Sequence, residues 1–196
     1  MKAFRKAILK GAGESGVSSA ALMLSTTVLV AVDDAGRVVG GGVVAPSMAS
    51  IEDAVAGSPG RRGEITLRGL ADTPQLLAVA VHHQYRARGI GKALFDALVW
   101  HYRLSGAPLL HGVVDADSRL LSFLRRSGFR VAEPDSFLDF TSIYGVHSYL
   151  ASGAGRRFFY LDLQNPGMDD WEIPAAVRNG QGGEASRPVR SAPREH

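Results

Sequence analysis

The chain contains no cysteine among its 196 residues. This absence excludes disulfide bridges, cysteine nucleophiles and thiolate metal sites. Aromatic residues are few, at 8%, and no apolar run approaches the roughly 20 residues that a membrane-spanning helix needs. The excess of positive charge is also small, +3 at pH 7. Such an excess suits an anionic ligand and does not by itself predict binding to nucleic acid.

The N-terminal stretch is basic but lacks the pattern of a secretory signal, because glycines in residues 11–16 interrupt the apolar region that a signal peptide needs. We therefore predict a cytoplasmic protein. The length favours one domain, which we place at residues 26–164, after an atypical short helical segment at 1–25. Residues 165–196 are predicted to form an extended or disordered tail. Near its end the chain is rich in Gly, Arg, Ser and Pro and has almost no large apolar residues.

A β-hairpin is predicted at the start of this domain. Residues 26–32 (TTVLVAV) are typical of a strand, residues 33–37 supply turn chemistry, and residues 38–44 return as a second strand. The three consecutive glycines at 40–42 predict a bulge or a close backbone approach in the return strand.

Apolar runs and turn residues predict the later elements. They are a helical turn at 51–56, the start of a strand at 65–68, a buried strand at 109–114, a helix capped by Asp117 or Ser118 and ending at Gly128, a strand from Phe129 to Val131, and a late strand at 157–163. No internal repeat is present.

The most informative stretch is a strand, a glycine-rich turn and a helix at residues 76–94. Backbone N–H groups at a helix start have no partner inside the helix, and the helix dipole places partial positive charge there. Gly89 and Gly91 remove side chains that would keep a phosphate from those donors, while Arg86, Arg88 and Lys92 add charge. The pattern therefore predicts a phosphate-binding loop.

Arg86-x-x-Gly89-x-Gly91 resembles the signature of the GNAT N-acetyltransferases. The resemblance covers roughly residues 26–163. It implies an α/β fold with a mixed central sheet, flanked by helices and splayed between the strands at Leu76 and Leu109. It also implies acetyl-coenzyme A (acetyl-CoA) as the co-substrate and an amine as the acceptor.

Within this resemblance, two groups of residues would bind the cofactor. The main chain of Val79, Ala80 and Val81 would pair with the pantetheine arm. The loop would hold the pyrophosphate through the seven residues Arg86, Ala87, Arg88, Gly89, Ile90, Gly91 and Lys92.

Residues 117–129 resemble the family's second motif, with Asp117 where asparagine is common and taken as a further cofactor contact. Leu124 stands where the family often has a tyrosine that protonates the departing thiolate. Leucine cannot donate a proton, so any general acid must come from elsewhere in the chain. The candidates are Ser122, Tyr144, Tyr149 and Tyr160.

The general base that deprotonates the acceptor ammonium is also open. Glu64, just ahead of the strand expected at 65–68, and His83, at the end of the signature strand, are the two candidates. His82 and Asp115 are weaker ones.

No metal site is predicted, because the six histidines are dispersed and adjacent strand residues point to opposite faces. Residues 11–16 spell G-x-G-x-x-G without the βαβ context of a dinucleotide site.

The family usually opens with a strand and two helices that build the acceptor side, and these are not evident before the hairpin. A CoA-binding regulatory module that has lost catalysis is therefore one alternative. Another is an acetyltransferase toxin acting on aminoacyl-tRNA, which needs a basic face that three arginine pairs could supply: Arg61 with Arg62, Arg125 with Arg126, and Arg156 with Arg157. We expect no nucleic-acid partner and no membrane, and leave a homodimer open.

The segment at residues 132–155 contains several aromatic residues. It is interpreted as a hydrophobic flap or dimer contact, or else as a lid over the acceptor.

Overall fold

The computed structural model describes residues 17–164 and the backbone of residues 172–173. The helices in this part of the chain are α1 (Ser19–Leu24), α2 (Met48–Gly57), α3 (Arg62–Asp72), α4 (Ile90–Leu104), α5 (Leu120–Arg126) and α6 (Thr141–Tyr144). The strands are β1 (Thr27–Val32), β2 (Val38–Pro46), β3 (Pro74–Val81), β4 (Leu109–Asp115), β5 (Arg130–Val131), β6 (Phe137–Asp139), β7 (Tyr149–Ala151), β8 (Arg156–Asp162) and β9 (Glu172–Ile173). None of the described helices is both long and apolar enough to cross a membrane.

A six-stranded sheet in the order β1-β2-β3-β4-β8-β5 forms the centre of the fold. Its strands pair antiparallel except β3 and β4, which are parallel. A second sheet has the order β7-β6-β9. The mixed α/β architecture and the hairpin β1-β2 confirm the predicted fold class.

The central sheet separates two apolar clusters. Leu109 packs with α2, α3 and α6, whereas its neighbour Leu110 packs with α4 and α5. Phe158 and Phe159 divide in the same way, because successive strand residues point to opposite faces. The sheet is therefore covered by a different set of helices on each side.

The prediction of a strand starting at Ile65 is wrong, since residues 65–68 lie within helix α3. The burial pattern gives the reason. Ile65 is fully buried and Leu67 is 70% exposed, although the two would share one face of a strand. Ile65 and Gly69, four residues apart, are the buried positions of α3. The helical turn expected at 51–56 is correct in type but is part of the longer helix α2.

Helices α2 and α3 lie between the hairpin and β3, not before the hairpin as the family pattern would have them. Strand β1 forms an edge of the six-stranded sheet. The described part of the predicted helical segment at 1–25 contains helix α1, where the Ser18 hydroxyl accepts a hydrogen bond from Ala21 N over 3.1 Å. Residues 1–16 of the predicted N-terminal segment, and the predicted tail at 165–196 apart from the backbone of 172–173, lie outside the described residues.

The aromatic residues of segment 132–155 are partly core. Phe140 and Tyr144 are fully buried beneath α2 and α3, and the Tyr144 hydroxyl lies 2.7 Å from Ser50 Oγ. The interpretation of these two side chains as a flap, a dimer contact or a lid is therefore wrong. They complete the core on one face of the sheet.

Helix α4 lies directly on the backbone of β2. A Cβ atom added at Gly40 would lie 3.4 Å from both Ile90 Cγ2 and Leu94 Cδ1, and one at Gly42 would lie 3.2 Å from Leu98 Cδ1. The predicted close approach at these glycines is thus confirmed. It brings the start of α4 beside the end of β3.

Candidate active site

Strands β3 and β4 separate after a short paired region. They pair only at Gln75 with His111 and at Leu76 with Gly112. On the other side of β3, Ala78 pairs with Val43 and Leu76 with Val44, which leaves Leu77 as an extra residue in a bulge. A bulge bends the strand that contains it, so the two strands diverge from this point.

The divergence opens a cleft of about 570 Å³ between β3, β4, α4 and α5. Residues 76–81, Val113 and Val114 line its sheet side. The lining is otherwise formed by Arg86, Gly91, Phe95, Leu120, Phe123, Leu124 and Phe159. Among these lining residues, Arg86 alone has an ionisable side chain.

The main chain of β3 faces the cleft at alternate residues. His82 N donates a hydrogen bond to Val39 O over 2.8 Å, so this pair is a bonded pair of the antiparallel ladder. Because bonding direction alternates along such a ladder, Ala80 directs its N–H and C=O towards β2. Val79 and Val81 direct theirs towards the cleft. Of the three residues predicted to pair with pantetheine, these two have main-chain groups aimed at the cleft.

The glycine-rich loop ends at the first turn of α4. Gly89 is the N-cap residue with φ +81°, in the left-handed region that favours glycine. The first intrahelical bond runs from Ala93 N to Gly89 O, so the N–H groups of residues 90–92 have no partner within the helix. A Cβ atom at Gly91 would lie 3.9 Å from both Phe123 and Val81. The fold itself therefore leaves room for a side chain there.

The cationic side chains of the loop are exposed. Lys92 Nζ lies 2.6 Å from Asp96 Oδ2, in a pair whose side chains are 61% and 57% exposed. Such exposed pairs contribute about 0–1 kcal/mol, so a phosphate can compete for the lysine. Arg86 Nε donates to Val81 O over 3.1 Å, and the Arg88 guanidinium lies 5.2 Å from the centre of the Tyr85 ring.

The second motif contributes an apolar wall. Leu124 is 2% exposed and lines the cleft where the family's tyrosine would stand. Asp117 is exposed in the turn before α5 and does not line the cleft. The hydroxyl of Ser118 accepts a hydrogen bond from Leu120 N over 3.3 Å, so Ser118 is the residue that caps this turn.

A second, larger cavity of about 870 Å³ lies beside the strands β1, β2 and β3. Leu29 packs with the cluster beneath α4, so alternation places Val28 and Val30 on the other face, where they are 62% and 57% exposed. This groove and the cleft share the four lining residues Ala78, Ala80, Val81 and Arg86. His82 and His83 lie at the end of the groove.

Glu64 lies in the first turn of α3, held by two arginines. Its carboxylate accepts hydrogen bonds from Arg61 Nη2 at 2.7 Å and Arg61 Nε at 3.0 Å, and Arg68 lies 3.5 Å away. The bond from Arg61 holds the pKa of the Glu64 carboxyl below its ordinary value. Glu64 lines neither cavity.

The other acid and base candidates also lie outside the lining of both cavities: Asp115, Ser122, Tyr144, Tyr149 and Tyr160. Tyr144 and Tyr160 are buried on the far cluster. Across residues 17–164, no group of three or more potential metal ligands comes together.

Two contributions to the site were not foreseen. Three phenylalanines line the cleft: Phe95, Phe123 and Phe159. Their spacing in helices and strands predicts that they are core residues and does not indicate that they face a cavity. Asp33 contacts Tyr85 next to the loop, and no local pattern connects residues 52 positions apart.

The model of the acetyltransferase (GNAT) domain family matches residues 25–131. No curated protein matches the chain significantly.

Solved structures similar to the chain include a GNAT-family protein from Desulfovibrio desulfuricans, with 20% identity, a TM-score of 0.45, and coverage of 70% of this chain and 69% of that one. A GNAT acetyltransferase from Elizabethkingia anophelis with acetyl-CoA bound has 14% identity, a TM-score of 0.46, and coverage of 72% and 78%. The ribosomal-protein-S18-alanine N-acetyltransferase of Escherichia coli has 14% identity, a TM-score of 0.44, and coverage of 78% and 81%.

The assignment rests on the family match, which spans more than half of the chain and contains both motifs. It confirms the resemblance seen in the loop at residues 86–91. The chain belongs to the GNAT acetyltransferase family, the enzymes that use acetyl-CoA as their acetyl donor.

Proposed function

We propose that the protein transfers the acetyl group of acetyl-CoA to an amine by direct attack in a ternary complex. One observation carries the proposal. The N–H groups at the start of α4, which have no partner within the helix, and the cleft-facing main chain of Val79 and Val81 meet at one cavity. Together they offer an anion site beside a strip of peptide donors and acceptors, which matches a pyrophosphate joined to a chain of amides.

The main chain of β3 would also act on the reacting thioester. An N–H group of Val79 or Val81, directed into the cleft, can donate to the thioester oxygen as negative charge develops there. Holding donor and acceptor together supplies a further part of the acceleration. The nitrogen then attacks the carbonyl carbon and loses its second proton to water, the C–S bond breaks, and CoA leaves as the thiolate.

We assign the general base to His83, because it lines the groove that meets the cleft at Val81 and Arg86. Glu64 is the alternative, and its two arginine neighbours favour the ionised carboxylate. The base would take a proton from the acceptor ammonium. Because Leu124 occupies the tyrosine position and Arg86 is the ionisable residue of the cleft lining, we propose that solvent protonates the thiolate.

The groove beside β1–β3 is proposed to hold the acceptor. Its lining is rich in valine, glycine and alanine and includes no carboxylate. These features favour an amine that bears an apolar body over a polyamine, since a polycation would need acidic partners. The groove and the cleft share four residues of β3 and the loop, which supports placing the acceptor next to the thioester.

Two other functions stay as candidates. A CoA-binding module without catalysis is favoured by Leu124, which cannot supply a proton. An acetyltransferase acting on aminoacyl-tRNA needs a basic face, and three arginines of the predicted pairs, Arg61, Arg156 and Arg157, lie within 4.0 Å of carboxylates. Those ion pairs weaken the support for a nucleic-acid partner.

The test is thiol release from acetyl-CoA with a panel of amines, run beside CoA binding by calorimetry. Phenylalkyl and alkyl amines and short peptides represent apolar acceptors, spermidine a polycation, and charged tRNA the third function. The proposal expects CoA binding and amine-dependent thiol release with an apolar amine. Binding without turnover on any acceptor would favour the regulatory module, and turnover with charged tRNA alone would contradict the proposed acceptor.

A further inference from the structure

We propose that Asp33 and Tyr85 are positioning residues that hold Arg88 for the pyrophosphate of acetyl-CoA. The inference rests on the proposed function, because it assumes that the loop at residues 86–92 binds that pyrophosphate. It assigns a task to the turn of the hairpin, which lies outside both motifs.

The Asp33 carboxylate first organises its own turn. Its Oδ1 accepts hydrogen bonds from Ala35 N at 3.1 Å and Arg37 N at 3.0 Å. Its Oδ2 accepts one from Arg37 Nε at 2.8 Å. Main-chain bonds from Asp33 N to Arg37 O, 3.0 Å, and from Gly36 N to Asp33 O, 2.8 Å, close the same turn. Asp33 is thereby fixed at the tip of the hairpin.

The same carboxylate reaches across the fold to the loop. The Tyr85 hydroxyl donates to Asp33 Oδ2 over 2.9 Å and accepts from Arg37 Nη2 over 3.0 Å. Hydrogen bonds from the Arg37 side chain and backbone hold the pKa of the Asp33 carboxyl well below its usual range. The acceptor of the tyrosine hydroxyl is therefore ionised throughout the neutral pH range, and bonds to charged groups are the stronger ones.

Tyr85 in turn supports a cation of the loop. Its ring lies beneath the Arg88 guanidinium, 5.2 Å from ring centre to Cζ, within the range of a cation–π contact. Between them, Ala87 adopts φ +61°, a conformation that non-glycine residues rarely take. A residue in such a conformation persists where its surroundings hold it. Tyr85 lies two residues before Ala87, and we infer that its contacts with Asp33 and Arg37 restrain this part of the loop.

The chain of contacts runs from a charged, fixed carboxylate to a fixed ring and from the ring to Arg88. An arginine restrained before the ligand arrives loses less entropy on binding a phosphate. The same contacts would also stabilise a loop that binds nothing. The two roles differ in one respect, since positioning affects ligands that carry the pyrophosphate and a purely structural role affects every ligand of the cleft.

The test compares CoA with pantetheine, which lacks the pyrophosphate, on the full-length protein. Tyr85→Phe keeps the ring and removes both hydrogen bonds of the hydroxyl, and Asp33→Asn keeps an acceptor for the turn. We expect each variant to weaken CoA binding by about 10-fold, equivalent to about 1.4 kcal/mol, with unchanged affinity for pantetheine measured by competition. Tyr149→Phe is the matched control, because that hydroxyl lies 3.4 Å from the exposed His147 and Tyr149 lines neither cavity.

A double variant sharpens the result. If Tyr85 acts through Arg88, then Tyr85→Phe combined with Arg88→Ala should weaken CoA binding little more than Arg88→Ala alone. Equal losses for CoA and pantetheine, or additive losses in the double variant, would overturn the positioning role. If the unaltered protein binds no CoA, the proposed function fails; if it binds CoA as tightly as the Tyr85→Phe variant, only this inference fails.

Discussion

Arg86 Nε donates a hydrogen bond to the carbonyl oxygen of Val81 over 3.1 Å. The contact joins the first cation of the loop to the strand end that faces the cleft. Arg86 also lines both the cleft and the groove. One side chain thus lies where the anion site, the β3 edge and the proposed acceptor site meet.

We expect Arg86→Ala to weaken CoA binding by about 10- to 100-fold, because a hydrogen bond to a charged group contributes about 1.5–3 kcal/mol. The loss should shrink as salt is raised, since ions screen exposed charges. Calorimetry at two salt concentrations measures both effects. Arg103→Ala, an exposed arginine in the last turn of the same helix, is the control and should bind as the unaltered protein does.

Gly91 offers a test that separates binding from folding. A Cβ atom there would lie 3.9 Å from its nearest neighbours, so Gly91→Val should fold. Its side chain would project beside the first N–H groups of α4, which have no partner within the helix, and reduce CoA affinity by at least about 10-fold. Gly63→Val is matched, because Gly63 is also the second residue of a helix and has open space around it.

Thermal melting and calorimetry on the two glycine variants should give similar melting temperatures and a loss of CoA binding in one alone. Equal CoA affinity in both would contradict the assignment of the loop. Gly89 is the poorer choice, since its φ of +81° strains any replacement.

His83→Gln tests the proposed base. We expect the amine-dependent rate to fall by about 100-fold or more, the usual contribution of a general base, while CoA affinity is unchanged. His101→Gln, on the exposed side of α4, should retain the full rate. A loss of rate in Glu64→Gln and not in His83→Gln would transfer the role to Glu64.

His111 makes the stability of the fold depend on pH. It is fully buried, neither ring nitrogen has a hydrogen-bond partner among the residues that the structure describes, and burial lowers its pKa to about 3. The unfolded chain takes up a proton near pH 6.5, so stability is lost as pH falls from about 6.5 towards 3, by about 1.4 kcal/mol per pH unit.

Replacing His111 by leucine should remove this dependence. Between pH 7 and pH 5 the unaltered protein should lose about 2 kcal/mol more than His111→Leu does, as measured by urea denaturation at both pH values. Equal losses in the two proteins would show that His111 does not titrate as its burial requires.

Sequence reasoning is most successful where chemistry is local. The glycine-bearing turn between β3 and α4 and the short turn of the hairpin both depend on adjacent residues, so these two pieces of local structure can be predicted from the sequence. The bulge at Leu77 and the divergence of β3 from β4 cannot be predicted from neighbouring residues. The bulge depends on how β3 pairs with β2, and the divergence depends on how many residues of β4 pair with β3.

The errors have a common physical origin. Ile65 is predicted to start a strand because so few apolar residues fit the period of a strand and that of a helix equally well. Burial of Ile65 against α2 and α6 selects the helix, and this contact is not visible in the local sequence. The sequence predicts Tyr144 as a candidate acid in a flap or lid, yet its hydroxyl lies 2.7 Å from the Oγ of Ser50, 94 residues earlier. The contact between Asp33 and Tyr85 is likewise long-range. Functional residues that act through such contacts require the fold.

The most direct test of the account is a crystal structure of the protein with acetyl-CoA. We predict the pyrophosphate against the N–H groups at the start of α4 and Arg88, and the thioester oxygen within hydrogen-bond distance of an N–H of Val79 or Val81. A pyrophosphate bound away from residues 86–92, or an arm that does not run between β3 and β4, would contradict the account.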